Sequence, residues 1–188
     1  GRLAEQATSA VGASYGDTMV LATIVAAKPK KDFGYFPLNV EYVERLYAGG
    51  RIKGSRWVKR EGRPTDDAVL SGRLIDRSIR PLFPKGFMME VQVVITILSV
   101  DGENDPAVVA INAVSAALSI SNIPWKGPIG SVRLGYVPPK ETEEGHFLLN
   151  PTQSEAAFCD MDLVVSATSE KIHMIEAGAK EITEPIIL

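Results

Sequence analysis

The chain has 188 residues and 45% hydrophobic side chains, enough for one domain with a sizeable core. Its single cysteine, Cys159, excludes an internal disulfide and any cysteine-rich metal site, and fits a reducing, cytoplasmic setting. The formal net charge of -3 is unevenly placed: residues 51–85 hold ten Lys/Arg against four Asp/Glu, a local +6 that leaves -9 for everything else.

That asymmetry has two readings, a solvated basic face or a surface that meets an anionic partner. No apolar run approaches the ~20 residues of a membrane span, and no secretory leader is visible. The chain opens GRLAEQATSA without an initiator Met and stops at EPIIL, so it is expected to be a piece of a longer protein.

In chain order, TMVLATIVAA (18–27) is apolar and β-branched enough for a buried strand, and FPLNVEYV (36–43) alternates as a half-exposed strand would. Residues 47–62, YAGGRIKGSRWVKREG, contain four glycines and no lasting periodicity, which predicts a loop. Thr65 follows as a helix N-cap, with Asp66 and Asp67 in the first turn against the positive end of the dipole. The helix TDDAVLSGRLIDRSIR ends before Pro81; Leu70, Leu74 and Ile75 are expected to face the core, and Arg73, Arg77 and Arg80 share another face.

VQVVITILSV (91–100) predicts a central strand, apolar on both faces. DPAVVAINAVSAALSIS (105–121) predicts a helix capped by Asp105, with Pro106 at its first position and small residues on most sides. IGSVRLGYV (129–137), HFLLN (146–150), DLVVSATS (162–169) and KIHMIEA (171–177) read as further strands, with KETEEG (140–145) as a hairpin tip. Strands and helices without regular βαβ repetition give an α+β class, mixed sheets packed on helices, in one domain over 1–188.

Few patterns carry chemistry by themselves. There is no GxxxxGK[ST] and no convincing GxGxxG. His146 and His173 lie far apart in predicted strands and read as ordinary strand residues. Asp160 and Asp162 in CDMD have the spacing to point one way from a strand and could hold Mg²⁺ through oxygen, although solvation at a strand start is the commoner explanation. The basic loop says more. Lys59, Arg60 and Arg63 could neutralise successive phosphates, and Trp57 offers a face on which a base could stack. A tryptophan in the core beside solvated cations is the competing explanation.

A longer stretch is specific. REGRPTDDAVLSGRLIDRSIRPLFPKGF (60–87), then EVQVVITILSVDGENDPAVVAINAVSAALSIS, IPWKGPIGSVRLGYV, LNPTQ (149–153) and DMDLVVSAT (160–168), resembles the first RNase PH-like core domain of the bacterial polynucleotide phosphorylase family over nearly the whole chain. The resemblance implies an RNase PH-like fold (ribosomal protein S5 domain 2-like). It implies a second core domain in the same chain, an all-helical linker, KH and S1 RNA-binding domains, and a ring of three subunits. It also implies phosphorolytic 3′→5′ degradation of single-stranded RNA to nucleoside diphosphates, with inorganic phosphate as co-substrate and Mg²⁺ assisting, and a place in an RNA-degradation complex.

The same resemblance assigns RNA binding to Trp57, Val58, Lys59, Arg60 and Arg63; Val58 stands where the family usually has a second aromatic. Arg56 adds a cation, and Arg73, Arg77 and Arg80 match an arginine-rich helix that serves RNA or subunit contacts. The family's second core domain does the chemistry, with a serine-rich phosphate turn and an Asp, DMD, Lys metal pattern. Here the turn reads DGENDP (101–106), and Ala156 and Val164 stand in place of the first Asp and the Lys. Asp160 and Asp162 would then be a degenerate remnant, with no catalytic or metal site in this domain. A purely structural oligomerisation module and a self-sufficient RNase PH-like exoribonuclease remain as alternatives.

Overall fold

Alternating burial along the strands divides the chain into two four-stranded sheets, seen in a computed structural model that describes residues 3–29, 31, 33–52, 62–139 and 144–187. The first sheet contains β1 (Ser9–Tyr15), β2 (Thr18–Ala27), β3 (Leu38–Val43) and β4 (Glu90–Ser99), in the order β1-β2-β4-β3. β3 runs parallel to β4; the other pairs are antiparallel. The second sheet contains β5 (Gly130–Val137), β6 (His146–Leu149), β7 (Met161–Ala167) and β8 (Ile172–Ala179), in the order β6-β5-β7-β8 and antiparallel throughout. The α+β class, with two sheets packed on helices, is therefore the observed architecture.

Two long helices, α1 (Asp66–Ile79) and α2 (Pro106–Ser119), contact both sheets. The inward row of the first sheet, Val20, Ala22 and Ile24 from β2 with Val91, Val93, Ile95 and Ile97 from β4, is fully excluded from water or nearly so. Helix α2 is buried around almost its whole circumference, from Ala107 to Leu118, which is why its sequence is apolar on every side. Small side chains let polar links form at the second sheet: Asn112 donates to Ser131 O at 2.9 Å and accepts from Ser131 N at 2.9 Å. Buried Ser78, Ser166 and Ser131 form a chain of hydroxyls joining α1 to β7 and β5.

Helix α1 covers the free edge of β3. A Cβ at Gly72 would stand 3.4 Å from Val40 O, an ordinary contact, so helix and strand pass with room for little beyond a small side chain there. Both expected caps form: Thr65 Oγ1 accepts from Ala68 N at 3.0 Å, and Asp105 accepts from Ala107 N at 2.8 Å. Three expectations need correction. Leu70 is 59% exposed and does not face the core; Ala68, Gly72, Ile75, Ser78 and Ile79 do. Strand β4 is central, but only one of its faces is fully buried. Strand β1 and two short helices, α3 (Gln153–Ala156) and α4 (Glu184–Ile187), are not signalled by the sequence. Within the predicted loop 47–62, the described part begins with a single 3₁₀ turn, Leu46–Gly49. No helix among the described residues is long and apolar enough to cross a membrane.

Candidate functional site

Two regions are candidates: a basic surface before α1, and the acidic turn before α2. Of the basic residues, Arg56, Trp57, Val58, Lys59 and Arg60 lie outside the described residues. Arg63 is exposed at the entrance to α1, and Arg73 is exposed on that helix; among the described residues neither makes an ion pair. The other two arginines are committed within the chain. Arg80 holds Asp76 at 2.7 Å, donates to the carbonyls of Phe36 and Leu38, and lies over the Phe36 ring. Arg77 pairs with Glu176 on β8. The stripe read from the sequence therefore divides, with two of its members tying α1 to β3 and to the second sheet.

The acidic turn is self-satisfied. Asp101 accepts from the backbone N–H groups of Glu103 at 2.9 Å, Asn104 at 2.8 Å and Asp17 at 3.2 Å, and from the Thr18 hydroxyl at 3.0 Å. These donors hold its carboxyl well below the usual carboxylate range, the Asn104 backbone contributing most. Glu103 accepts from the Ser154 hydroxyl at 2.7 Å and from its backbone, which lowers its carboxyl likewise. Backbone amides that could have met a phosphate oxygen already have a carboxylate.

Asp105 and Asp162 are joined by a residue that the sequence did not single out. Arg133, on β5, donates to Asp105 Oδ2 at 2.7 Å and to both oxygens of Asp162, one at 2.6 Å. The Asp162 contact does most to raise the guanidinium above its usual range, against the opposing effect of burial. The signal was available: Arg133 interrupts an apolar strand, and a cation at such a position calls for an anionic partner. A cleft of about 230 Å³ opens beside this group, lined by Gly102, Glu103, Asn104, Asp105, Arg133 and Pro151 among others.

Asp160 does not join Asp162. It pairs with Lys180 at 3.3 Å, while Asp162 belongs to Arg133. Among the described residues no group of three or more His, Cys, Asp or Glu could hold a metal ion. Mg²⁺ needs several free oxygens in near-octahedral array, and these carboxylates are already neutralised by cations. The donor set therefore does not fit a divalent metal. His146 and His173 sit on opposite edge strands of the second sheet.

Two family models match the chain: "3′ exoribonuclease family, domain 1" over residues 1–124 and "3′ exoribonuclease family, domain 2" over residues 127–188. Proteins called polyribonucleotide nucleotidyltransferase are similar along the whole chain. That of Roseiflexus sp. (strain RS-1) is 51% identical over 189 residues, and that of Rhodospirillum centenum 53% identical over 189 residues. The chain spans only 24% and 26% of their respective lengths. Among solved structures, rice Rrp46 is similar with a TM-score of 0.72 at 16% identity, covering 96% of this chain and 78% of that one. The Archaeoglobus fulgidus exosome with RNA bound to its active site gives a TM-score of 0.67 at 17% identity, over 98% of this chain and 78% of that one. At such identities these two likenesses concern the fold alone.

Proposed function

The chain belongs to the 3′ exoribonuclease family, and from that membership we propose that it is the first core domain of a polynucleotide phosphorylase, which captures RNA and builds a ring but does not perform the phosphorolysis itself. The likeness in sequence to polyribonucleotide nucleotidyltransferases, of which it spans about a quarter, supports a larger enzyme around it. That enzyme would shorten single-stranded RNA from its 3′ end in the cytoplasm, with phosphate as co-substrate, as a homotrimer and within an RNA-degradation complex. Its second core domain would supply Mg²⁺ and the chemistry.

The observation that carries the non-catalytic reading is the pairing of Arg133 with Asp105 and Asp162. Phosphorolysis must stabilise extra negative charge on phosphorus, usually by a metal and free cations. Here the available cation is spent on two carboxylates, and the neighbouring turn presents Asp101 and Glu103 where an anion would have to sit. Capture falls to the basic segment: Trp57 stacks on a base, Val58 gives an apolar contact, and Lys59, Arg60 and Arg63 meet phosphates, with Arg56 and Arg73 beside them. Arg77 and Arg80 hold the helix in place.

The test is Asp162→Asn in the full-length protein, assayed for nucleoside diphosphate release from single-stranded RNA with phosphate and Mg²⁺. Release should persist at close to the wild-type rate. Loss of release in a folded variant would place catalysis in this domain and favour a self-sufficient exoribonuclease.

A further inference from the structure

A second cavity, of about 340 Å³, lies between the end of β3 and the segment that enters α1. It is lined by Tyr42, Glu44, Arg45, Leu46, Arg63 and Thr65, with Val43, Pro64 and Ala68 completing a mostly apolar wall. Its size falls at the small end of ligand sites, and a few polar groups on an apolar wall is the usual composition of such sites.

Tyr42 is the unusual member. It is only 6% exposed, yet its hydroxyl makes no hydrogen bond with any described residue. Burial, then the negative charges of Asp105 and Glu44, hold that hydroxyl firmly protonated, so it stands as a donor without an acceptor among the described residues. Glu44 receives the Thr65 hydroxyl on Oε2 at 2.9 Å and keeps Oε1 unused among the described residues. One donor and one acceptor thus share an apolar cavity, and Arg63, with no carboxylate partner among the described residues, lines the same wall.

We propose that this cavity is a nucleobase subsite, taking one unstacked base of single-stranded RNA while Arg63 meets its phosphate. A mostly apolar wall suits a base plane, and the Tyr42 and Glu44 groups suit an edge that carries an acceptor next to an N–H donor. Adenine, cytosine and uracil each have such an edge: N6–H beside N1, N4–H beside N3, and N3–H beside O4. The inference rests on the RNA-capture reading and adds to it a contact with the base itself, beyond the phosphates.

The experiment compares oligo(A), oligo(C), oligo(U) and an abasic oligomer of equal length, binding to the full-length protein and to its Tyr42→Phe and Glu44→Gln variants. Tyr42→Phe keeps the ring and removes only the hydroxyl. It should weaken oligo(A), oligo(C) and oligo(U) by about fivefold, the value of one neutral hydrogen bond, and leave the abasic strand unchanged. Glu44→Gln should do the same. If both variants bind all four oligomers as the wild type does, or lose all four equally, there is no base subsite here. RNA binding that survives such a result but falls on Lys59→Ala with Arg60→Ala would sink the subsite and leave the capture reading standing. Indifference of RNA binding to that double change as well would overturn both.

Discussion

Arg133 and Asp162 are diagonal neighbours on β5 and β7, and the guanidinium of the first engages both oxygens of the second. The same guanidinium reaches Asp105 at the N-cap of α2, so one side chain joins the second sheet to the central helix. Arg133→Met would leave two carboxylates facing each other across a half-buried gap. Asp162 is 52% exposed and water screens much of its loss, whereas Asp105 is only 25% exposed. The expected cost is about 2 kcal/mol, mostly from Asp105. For a chain of this size that lowers the melting temperature by roughly 4–8 °C, readable by calorimetry. An unchanged melting temperature would mean that the pairing contributes nothing to stability.

Acid should loosen the turn before α2. The Asp101 carboxyl is held below its ordinary value in the folded chain, so it binds protons less readily folded than unfolded. Its contribution is complete above the unfolded-state value of about 4 and is lost as pH falls toward the lower folded value. Thermal stability followed downward from neutral pH should therefore decline below about pH 4. Asp101→Asn, already uncharged, should show a shallower decline than the wild type. Parallel curves for the two proteins would dismiss this group as a source of acid sensitivity.

Gly16 closes the β1–β2 hairpin at φ 58°, against the turn that Asp101 organises. A Cβ there would overlap the Asn104 side-chain amide and stand 2.8 Å from Asp101 Oδ2. Gly16→Ala combines a left-handed backbone cost of roughly 1–2 kcal/mol with that collision. A loss of about 2 kcal/mol or more is expected by urea unfolding. Gly102, also at positive φ but with open space around it, should lose only the backbone share on the same substitution.

Lys59→Ala with Arg60→Ala in the full-length protein should slow degradation of long RNA more than of very short RNA. The salt dependence of RNA binding should flatten by about one unit of slope for each phosphate that the variant no longer neutralises. Equal slowing at every length would argue against capture ahead of the chemistry.

The sequence by itself determined the local elements. Thr65 and Asp105 announce helices because their side-chain oxygens satisfy the first free amides, and Pro106 fixes the backbone of the first turn of α2. The apolar runs of β2 and β4 declare buried strands, and the all-round apolar surface of α2 declares a helix with neighbours on every side. Strand β1 is illegible because SAVGASY, with its glycine and small residues, has no alternation to read; it is held as a strand by pairing with β2. Leu70 departs from expectation because a helical stripe gives a direction but not its width, and α1 presents only its Ala68, Gly72, Ile75 and Ile79 side to the core. What only the tertiary structure decided is which charges meet. Arg133 and Asp162 are 29 residues apart, Asp101 and Thr18 are 83 apart, and Arg77 and Glu176 are 99 apart. Ion pairs and hydrogen bonds act over a few ångströms and leave no periodic trace in the chain, so the fate of each carboxylate waited on the packing of the two sheets around α1 and α2.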